Sequence, residues 1–202
     1  MNTALLAVAA YLIGSVSFAV IVSRVFGLPD PRTYGSENPG ATNVLRSGRK
    51  SAAMITLLGD ALKGWAPVWL AARYADSGAV ELTMALAALL TVIGHMYPVF
   101  HRFQGGKGVA TALGVLFGIH VYIALGAVGT WLIMVIFFRM SSLASITAAA
   151  FAPFATWMFF GFAHPFFVSV AVMAVLLIYR HHANIKKILA GTESKLGQKA
   201  AH

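Results

Sequence analysis

The chain has 202 residues, of which 59% are hydrophobic and only 10% are charged, and its formal net charge at pH 7 is +9. This composition leaves too little polar surface for a water-soluble globule, so an integral membrane protein is predicted. The sequence contains no cysteine, which excludes disulfide bonds, a thiol nucleophile and thiolate metal ligands.

Hydrophobic runs of about 20 residues predict membrane-spanning helices, because every backbone polar group inside lipid needs an internal partner. We predict one all-α, polytopic membrane domain over residues 1–202, with a frayed tail after about residue 191. The first run has no charged segment before it and is interpreted as a retained span, not as a cleaved signal peptide. Seven spans are predicted, at Ala4–Phe26, Ala52–Tyr74, Val80–Phe100, Val109–Tyr122, Ile123–Phe138, Leu143–Phe160 and Pro165–Tyr179.

The stretch Val109–Phe138 can be divided in two ways. Its 30 residues carry no charge, and they are too many for one span of about 20 residues but few for two. A division at His120–Tyr122, where polar groups gather, gives a short fourth helix that begins partly inside the protein. A single kinked span is the alternative, and it would give six spans in all.

The distribution of lysine and arginine favours seven spans. With seven, thirteen of the 15 basic residues lie on one side of the membrane, Arg73 lies on the other, and Lys63 falls within the second span. A six-span arrangement would move Arg139 and the basic C-terminal cluster to the outside, against the usual cytoplasmic bias. The N-terminus is therefore predicted outside the cell and the C-terminus in the cytoplasm.

Three patches that combine glycine or asparagine with basic residues then fall on the cytoplasmic side. The first patch, Gly35–Arg46, contains the turn signal Asn38-Pro39-Gly40 and several neutral hydrogen-bonding groups. Such a loop can wrap an oxyanion, although a polar connection that merely caps the next helix is the alternative. Arg49 and Lys50 are interpreted as membrane-surface anchors.

The second patch, Gln104–Thr111, places glycine amides and Lys107 at the start of a hydrophobic helix, where the helix dipole favours an anion. It is not a Walker A loop, because His101 stands where that motif has its first glycine and Gly108 where it has serine or threonine. It does not fit the dinucleotide fingerprint either. A phosphate ligand smaller than a nucleotide is predicted, and a flexible turn with an interfacial lysine is the alternative.

The third patch, Arg180–Asn184, closes the last span, and its Arg180, His181 and Asn184 can face inward from one helix end. Adjacent histidines on a helix cannot comfortably share one metal ion, and no carboxylate is near in sequence, so no metal site is predicted. A basic membrane-surface anchor is the alternative for Arg180. It is the preferred interpretation for Lys186 and Lys187.

Two further pairs lie inside predicted spans. Asp60 and Lys63 are spaced to form a neutralising pair in the bundle interior that supports the first patch. Gly114 and Gly118 form a GxxxG face suited to close helix packing. His95, near the end of the third span, is predicted to hydrogen-bond a loop.

In order along the chain, three segments resemble the cytoplasmic motifs of the bacterial acyl-phosphate:glycerol-3-phosphate acyltransferase family, the PlsY family. They are GSENPGATNVLR over 35–46, GHMYPVFHRFQGGKGVAT over 94–111 and RHHANIKKILAGTES over 180–194. The resemblance covers essentially the whole chain. It departs from the family at Gln104, where a lysine is common, and at Lys187, where an arginine is common.

The resemblance implies transfer of a fatty acyl group from acyl phosphate to the 1-position of glycerol 3-phosphate, giving lysophosphatidic acid and inorganic phosphate. It also implies a role in phospholipid biosynthesis in the bacterial inner membrane, with the active site facing the cytoplasm, no cofactor or metal, and no nucleic-acid partner. Membrane lipid is an expected partner, and the enzyme that makes acyl phosphate is a further candidate.

The implied catalytic residues are Ser36, Arg46, Lys107, His181 and Asn184. The implied phosphate-binding residues are Gly35, Asn38, Gly40, Ala41, Thr42, Asn43, Gly105, Gly106, Gly108 and Thr111. We expect the glycerol hydroxyl to attack the acyl carbonyl directly, because an acyl phosphate already has a good leaving group. His181 and the substrate phosphate are both candidates for the base, and neither phosphate subsite is assigned to a substrate.

An organic-phosphate transporter is the rival from another functional class, because a basic pocket among helices would also suit one. Transporters place their site near the membrane midplane between repeated halves, whereas here the polar groups cluster at one interface and no repeat is evident. A lipid-binding scaffold is a further rival, although it would not need the glycines.

Overall fold

The structure is a computed structural model that describes residues 1–196, so Lys199 and the last part of the predicted frayed tail lie outside the described residues. Within that range every regular element is helical, as predicted. Single-turn 3₁₀ helices lie at Ser77–Ala79 and Val99–His101. The α-helices are α1 (Thr3–Gly14), α2 (Phe18–Val25), α3 (Ala41–Leu45), α4 (Lys50–Tyr74), α5 (Val80–Met96), α6 (Val109–Ile119), α7 (Val121–Phe138), α8 (Ser141–Phe160), α9 (Pro165–Arg180) and α10 (His182–Leu189).

Several of these helices are suited to a membrane. Ser77–His101, α7 and α8 are each long and apolar enough to cross one, and α6 is a shorter apolar helix. Two bent pairs, α1 with α2 at 41° and α9 with α10 at 58°, raise the number of spans to five when each pair is counted as one. These helices agree with a multi-pass membrane protein. Seven spans and the predicted orientation remain predictions.

The chain divides between α6 and α7 at His120, where the sequence predicts a division. The predicted span Ala4–Phe26, by contrast, is not one continuous helix, because it breaks at Ser15–Ser17. Ser17 starts α2 by accepting a hydrogen bond from the Val20 backbone N–H. The ammonium group of Lys63, from α4, donates to the carbonyl oxygen of Val16 inside the break. A side chain distant in sequence therefore satisfies a backbone group that the broken helix leaves free.

Glycines bring the backbones of α4 and α6 close together. A methyl group at Gly114 of α6 would collide with the carbonyl oxygen of Ala61 in α4, and one at Gly64 of α4 would collide with the carbonyl oxygen of Thr111 in α6. Gly118 packs against the side chain of Val68 in the same way. The predicted packing role of Gly114 and Gly118 is confirmed.

The predicted Asp60–Lys63 pair is also confirmed. The Lys63 ammonium nitrogen lies 2.8 Å from Asp60 Oδ1, and both side chains are only 3% exposed. Because one partner neutralises the other, the bundle can bury both charges.

Replacing Gly114 by alanine should lower the free energy of unfolding by about 1–3 kcal/mol, because the added methyl group forces α4 and α6 apart. The melting temperature of the purified protein in detergent measures this loss. Gly129→Ala in α7 is the matched control, because no atom lies near the position of its added methyl group. Equal melting temperatures for the two variants would contradict the close packing described above.

Candidate active site

One cavity of about 370 Å³ joins polar groups at one end to the apolar interior between α6 and α9. Eleven of the fifteen predicted site residues line it. They are Ser36, Asn38, Gly40, Ala41, Thr42, Asn43, Arg46, Lys107, Gly108, His181 and Asn184. The three patches, far apart in sequence, therefore meet at a single cavity.

The first patch is a loop organised by the side chain of Asn43. Its Oδ1 atom accepts a hydrogen bond of 3.0 Å from the Ser36 N–H. Its amide nitrogen donates to the carbonyl oxygens of Pro31 and Tyr34, at 2.7 and 3.1 Å. Gly35 has a φ of +62°, and a methyl group there would meet Asn43 Oδ1. Gly35 and Asn43 thus shape the loop, and Gly35 itself does not line the cavity.

The short helix α3 follows this loop, with Gly40 at its N-cap. No side chain within residues 1–196 caps the start of α3, so the alternative in which serine or asparagine side chains serve as caps does not describe this helix. Gly40, Ala41 and Thr42 line the cavity at this point. The start of α3 therefore forms part of the cavity wall.

The second patch contains the glycine loop, Gly105–Gly108, which two other helices hold in place. The Gly106 N–H donates to the carbonyl oxygen of His95 at 3.1 Å. The Arg180 guanidinium donates to the carbonyl oxygens of Gly105 and Gly106, at 2.7 and 3.3 Å. Arg180 also lies over the ring of Tyr97, 5.5 Å from its centroid. Arg180 and His95 thus hold this loop together.

This arrangement places part of the predicted phosphate site away from the cavity. The N–H of Gly106 is occupied by His95, and neither Gly105 nor Gly106 lines the cavity. Thr111 lies behind the loop, where its hydroxyl contacts His95 Nδ1 at 3.1 Å. The ring of His95 thus contacts α6, and it is the backbone carbonyl of His95 that bonds the glycine loop. Gly108 does line the cavity, and its φ of +85° turns the chain into α6.

Lys107 extends from the held loop to the third patch. Its Nζ donates a hydrogen bond of 2.6 Å to Asn184 Oδ1, which leaves two of its three protons for other acceptors. Burial lowers the pKa of Lys107 to about 8. The carboxylate of Glu193 opposes this shift, whereas the nearby cations Arg180, Arg46 and Lys187 add to it. Lys107 is therefore a desolvated ammonium group that is still charged at neutral pH.

His181 lies one residue beyond α9 and is only 2% exposed. Its Nδ1 lies 2.8 Å from the carbonyl oxygen of Leu177. Because a carbonyl oxygen only accepts, Nδ1 carries the proton, and Nε2 is an acceptor. Burial lowers the pKa of His181 to about 4, and nearby Lys107 contributes to the shift. The ring is therefore neutral at pH 7, whereas its neighbour His182 is exposed.

Glu193 was not predicted as a site residue. Its Oε1 accepts hydrogen bonds from the Ser142 hydroxyl at 2.6 Å and from the Asn184 amide at 2.8 Å. The adjacent Ser194 hydroxyl accepts from Arg46 at 3.0 Å. The described part of the predicted frayed tail thus lies against the site. The sequence signal that could have identified Glu193 is that it is a lone acidic residue in a basic tail.

The rest of the cavity is apolar and lies between helices. Leu113 and Leu116 of α6, Ala127 of α7, Ala152 of α8 and Val170 of α9 line it. A cavity of this size, mostly apolar with a few polar groups at one end, is suited to a ligand with a charged head and an apolar tail. Within residues 1–196, no group of three or more His, Asp or Glu side chains is placed to hold a metal ion.

Comparisons with known proteins agree on one family. Residues 4–191 match the family model described as glycerol-3-phosphate acyltransferase. A curated relative of that name from Ralstonia nicotianae is 60% identical over 198 residues, which cover 98% of this chain and 95% of the relative. A second, from Burkholderia pseudomallei, is 58% identical over 200 residues, which cover 98% of both chains.

Two solved structures have the same fold. Both are crystal structures of PlsY, an integral membrane glycerol 3-phosphate acyltransferase. The glycerol 3-phosphate form has a TM-score of 0.90 and 38% identity, and the match covers 96% of each chain. The lysophosphatidic acid form has a TM-score of 0.88 and 37% identity, over 96% of this chain and 95% of the other. On the family model and these near-full-length relatives, the chain belongs to the glycerol-3-phosphate acyltransferase family.

Proposed function

We propose that this multi-pass membrane acyltransferase moves a fatty acyl group from acyl phosphate to the 1-position of glycerol 3-phosphate. The products are lysophosphatidic acid and inorganic phosphate. The observation that carries the proposal is the single cavity, which combines Lys107 and Arg46 at one end with an apolar interior at the other. Both substrates carry phosphate and the donor also carries a long apolar tail, so this combination fits the pair. The family to which the chain belongs is one of acyltransferases, so it gives no support to the transporter alternative.

In the proposed reaction, the oxygen of the primary hydroxyl attacks the acyl carbonyl carbon. An ester bond forms, the bond between the carbonyl carbon and the phosphate oxygen breaks, and the phosphate leaves with that electron pair. Because phosphate is already a good leaving group, no enzyme nucleophile takes part. Catalysis then consists of positioning the two substrates and stabilising their charge.

The phosphate groups are proposed to bind the cations and backbone groups that line the polar end. Lys107 has protons available beyond its bond to Asn184, and among the described residues the guanidinium group of Arg46 donates only to the exposed Ser194 hydroxyl. The Ser36 hydroxyl and the first turn of α3 lie along the same cavity. Charged donors held in a partly desolvated site act more strongly on phosphate than they would in water.

The lowered pKa of the buried His181 ring favours the substrate phosphate as the base. A histidine whose pKa is about 4 is a weak base at neutral pH. A phosphate monoester has a second pKa of about 6, so it accepts the hydroxyl proton more readily. We assign to His181 the role of orienting the attacking hydroxyl through Nε2. Asn184 holds Lys107 in place beside it.

The placement in the cell is proposed from the distribution of charge. Seven spans result if α4, 25 residues and about 37 Å long, and the short α6 both count as spans, together with the three long segments and the two bent pairs. The basic residues then favour the cytoplasmic side of the inner membrane for the site, with the N-terminus outside. Water-soluble glycerol 3-phosphate would enter from the cytoplasm, and the enzyme that makes acyl phosphate is a candidate partner there.

The purified protein in detergent, given acyl phosphate and glycerol 3-phosphate, is expected to release inorganic phosphate and form lysophosphatidic acid in equal amounts. Both products can be measured in the same reaction, the lipid by mass spectrometry. Omitting the acceptor is the control, and it should abolish phosphate release. Phosphate release that does not depend on glycerol 3-phosphate would count against acyl transfer.

Replacing Lys107 by alanine should lower kcat/KM by about a hundredfold or more, roughly 3 kcal/mol, the scale of losing one charge-stabilising donor. Lys186→Ala is the matched control, because Lys186 is exposed on α10 and should be replaceable with little loss. Steady-state kinetics with both substrates measure the effect. Retained activity in the Lys107 variant would refute its role.

The pH profile tests the same role through charge. Because the pKa of Lys107 is lowered to about 8, its ammonium group is present below that pH and is lost above it. The kcat/KM of the wild type should therefore fall above about pH 8. This alkaline limb should be absent in Lys107→Arg, whose guanidinium stays charged. The same limb in both proteins would show that another group titrates.

A further inference from the structure

Two buried titratable side chains line the cavity and have no part in the reaction described above. Asp60 of α4 is 2% exposed and His95 of α5 is 8% exposed, and both face the cavity that contains Lys107 and His181. They form what we call the cavity floor. A buried carboxylate at a phosphate-binding cavity is unexpected, because it repels the ligand that the cations attract.

The floor is fixed in position by its neighbours. Asp60 Oδ1 lies 2.8 Å from the Lys63 ammonium and 3.7 Å from His95 Nδ1, but it has no hydrogen-bond partner of good geometry within residues 1–196. Lys63 also donates to the Val16 carbonyl oxygen, and His95 Nδ1 contacts the Thr111 hydroxyl. The charge of Asp60 is thus balanced by Lys63, while the carboxylate keeps acceptor capacity.

The same residues connect the floor to the glycine loop. The carbonyl oxygen of His95 accepts the hydrogen bond of the Gly106 N–H, and Lys107 follows Gly106 directly. A methyl group at Gly106 would collide with the His95 ring. The floor and the loop that carries the phosphate-binding lysine are therefore one packed unit. This contact fixes the glycine loop relative to His95 of the floor.

We propose that Asp60, held by Lys63 and His95, binds the secondary hydroxyl of the acceptor and so selects a hydroxylated phosphate ester. This rests on the proposed function, because it assigns part of that same site. The acceptor has a phosphate for the cationic end and two hydroxyl groups. One hydroxyl reacts, and the other remains to donate a hydrogen bond. A carboxylate accepts hydrogen bonds from hydroxyl groups but repels phosphate, so a hydroxyl group of the ligand explains an acidic group at this cavity.

A site built to bind a hydroxyl discriminates strongly against a ligand that lacks it, because its own buried polar group is then left unpaired. Glycerol 3-phosphate should therefore be compared with 3-hydroxypropyl phosphate. This analogue keeps the phosphate and the reactive primary hydroxyl but has no secondary hydroxyl. The wild type should prefer glycerol 3-phosphate by at least about tenfold in kcat/KM, with acyl phosphate as donor.

Asp60→Asn should reduce this preference to about threefold or less, mainly by lowering kcat/KM for glycerol 3-phosphate. The preference is a ratio measured on one protein sample, so a smaller folded fraction lowers both values and leaves the ratio unchanged. Asp30→Asn is the matched control. It removes another aspartate that is paired with a basic residue, Arg32 at 2.6 Å, but Asp30 does not line the cavity. Its ratio should equal that of the wild type.

Asp60→Asn alone leaves the Lys63 ammonium without its carboxylate partner. If that variant does not fold, the double variant Asp60→Asn with Lys63→Met removes this ammonium, and the two acceptors can be compared in the same way. A wild type that uses both acceptors equally well would overturn the proposal without any variant. An unchanged ratio in a folded Asp60 variant, or loss of activity toward both acceptors, would also overturn it. A wild type that acylates neither acceptor would instead overturn the proposed function.

Discussion

Hydrogen bonds hold the glycine loop before α6 from two sides, and the position of Lys107 depends on them. His95 accepts the hydrogen bond of the Gly106 N–H, and Arg180 donates to the carbonyl oxygens of Gly105 and Gly106. Glycine backbone has more freedom to lose than any other, so such a loop stays ordered only when other groups fix it. With the loop fixed, Lys107 donates a hydrogen bond to Asn184 of the third patch. This fixed arrangement of donors is what the proposed binding of phosphate requires.

The fixed glycine loop also brings charged and apolar side chains into one cavity. α6 begins directly after the loop, and its Leu113 and Leu116 line the cavity a short way below Lys107. A reactive carbonyl at the head of an acyl chain can thus lie beside the cations while its tail lies between helices. Burial acts on Lys107 as well, because it lowers the pKa to about 8 and leaves the charge present at neutral pH. Partial desolvation strengthens the interaction of such a cation with an anion.

Local patterns were enough to predict the helices, the division at His120, the Asp60–Lys63 pair and the convergence of the three patches. The break between α1 and α2 was missed, because Lys63 stabilises it from another helix. Gly106 was predicted to bind phosphate, but its amide is paired with His95, a tertiary contact that no local motif shows. Glu193 was missed for the same reason, since its partner Ser142 lies 51 residues away. The sequence could not predict which distant residues would form hydrogen bonds with the loops.

In the proposed reaction, positioned cations and backbone groups suffice for acyl transfer without an enzyme nucleophile. Intact-mass spectrometry of the protein, acid-quenched after incubation with acyl phosphate and no acceptor, tests this most directly. We expect only the unmodified mass, because acyl phosphate reacts with the hydroxyl of glycerol 3-phosphate and not with a side chain of the protein. A stoichiometric acyl adduct that disappears when glycerol 3-phosphate is added would contradict direct transfer and would point to a covalent intermediate on the chain.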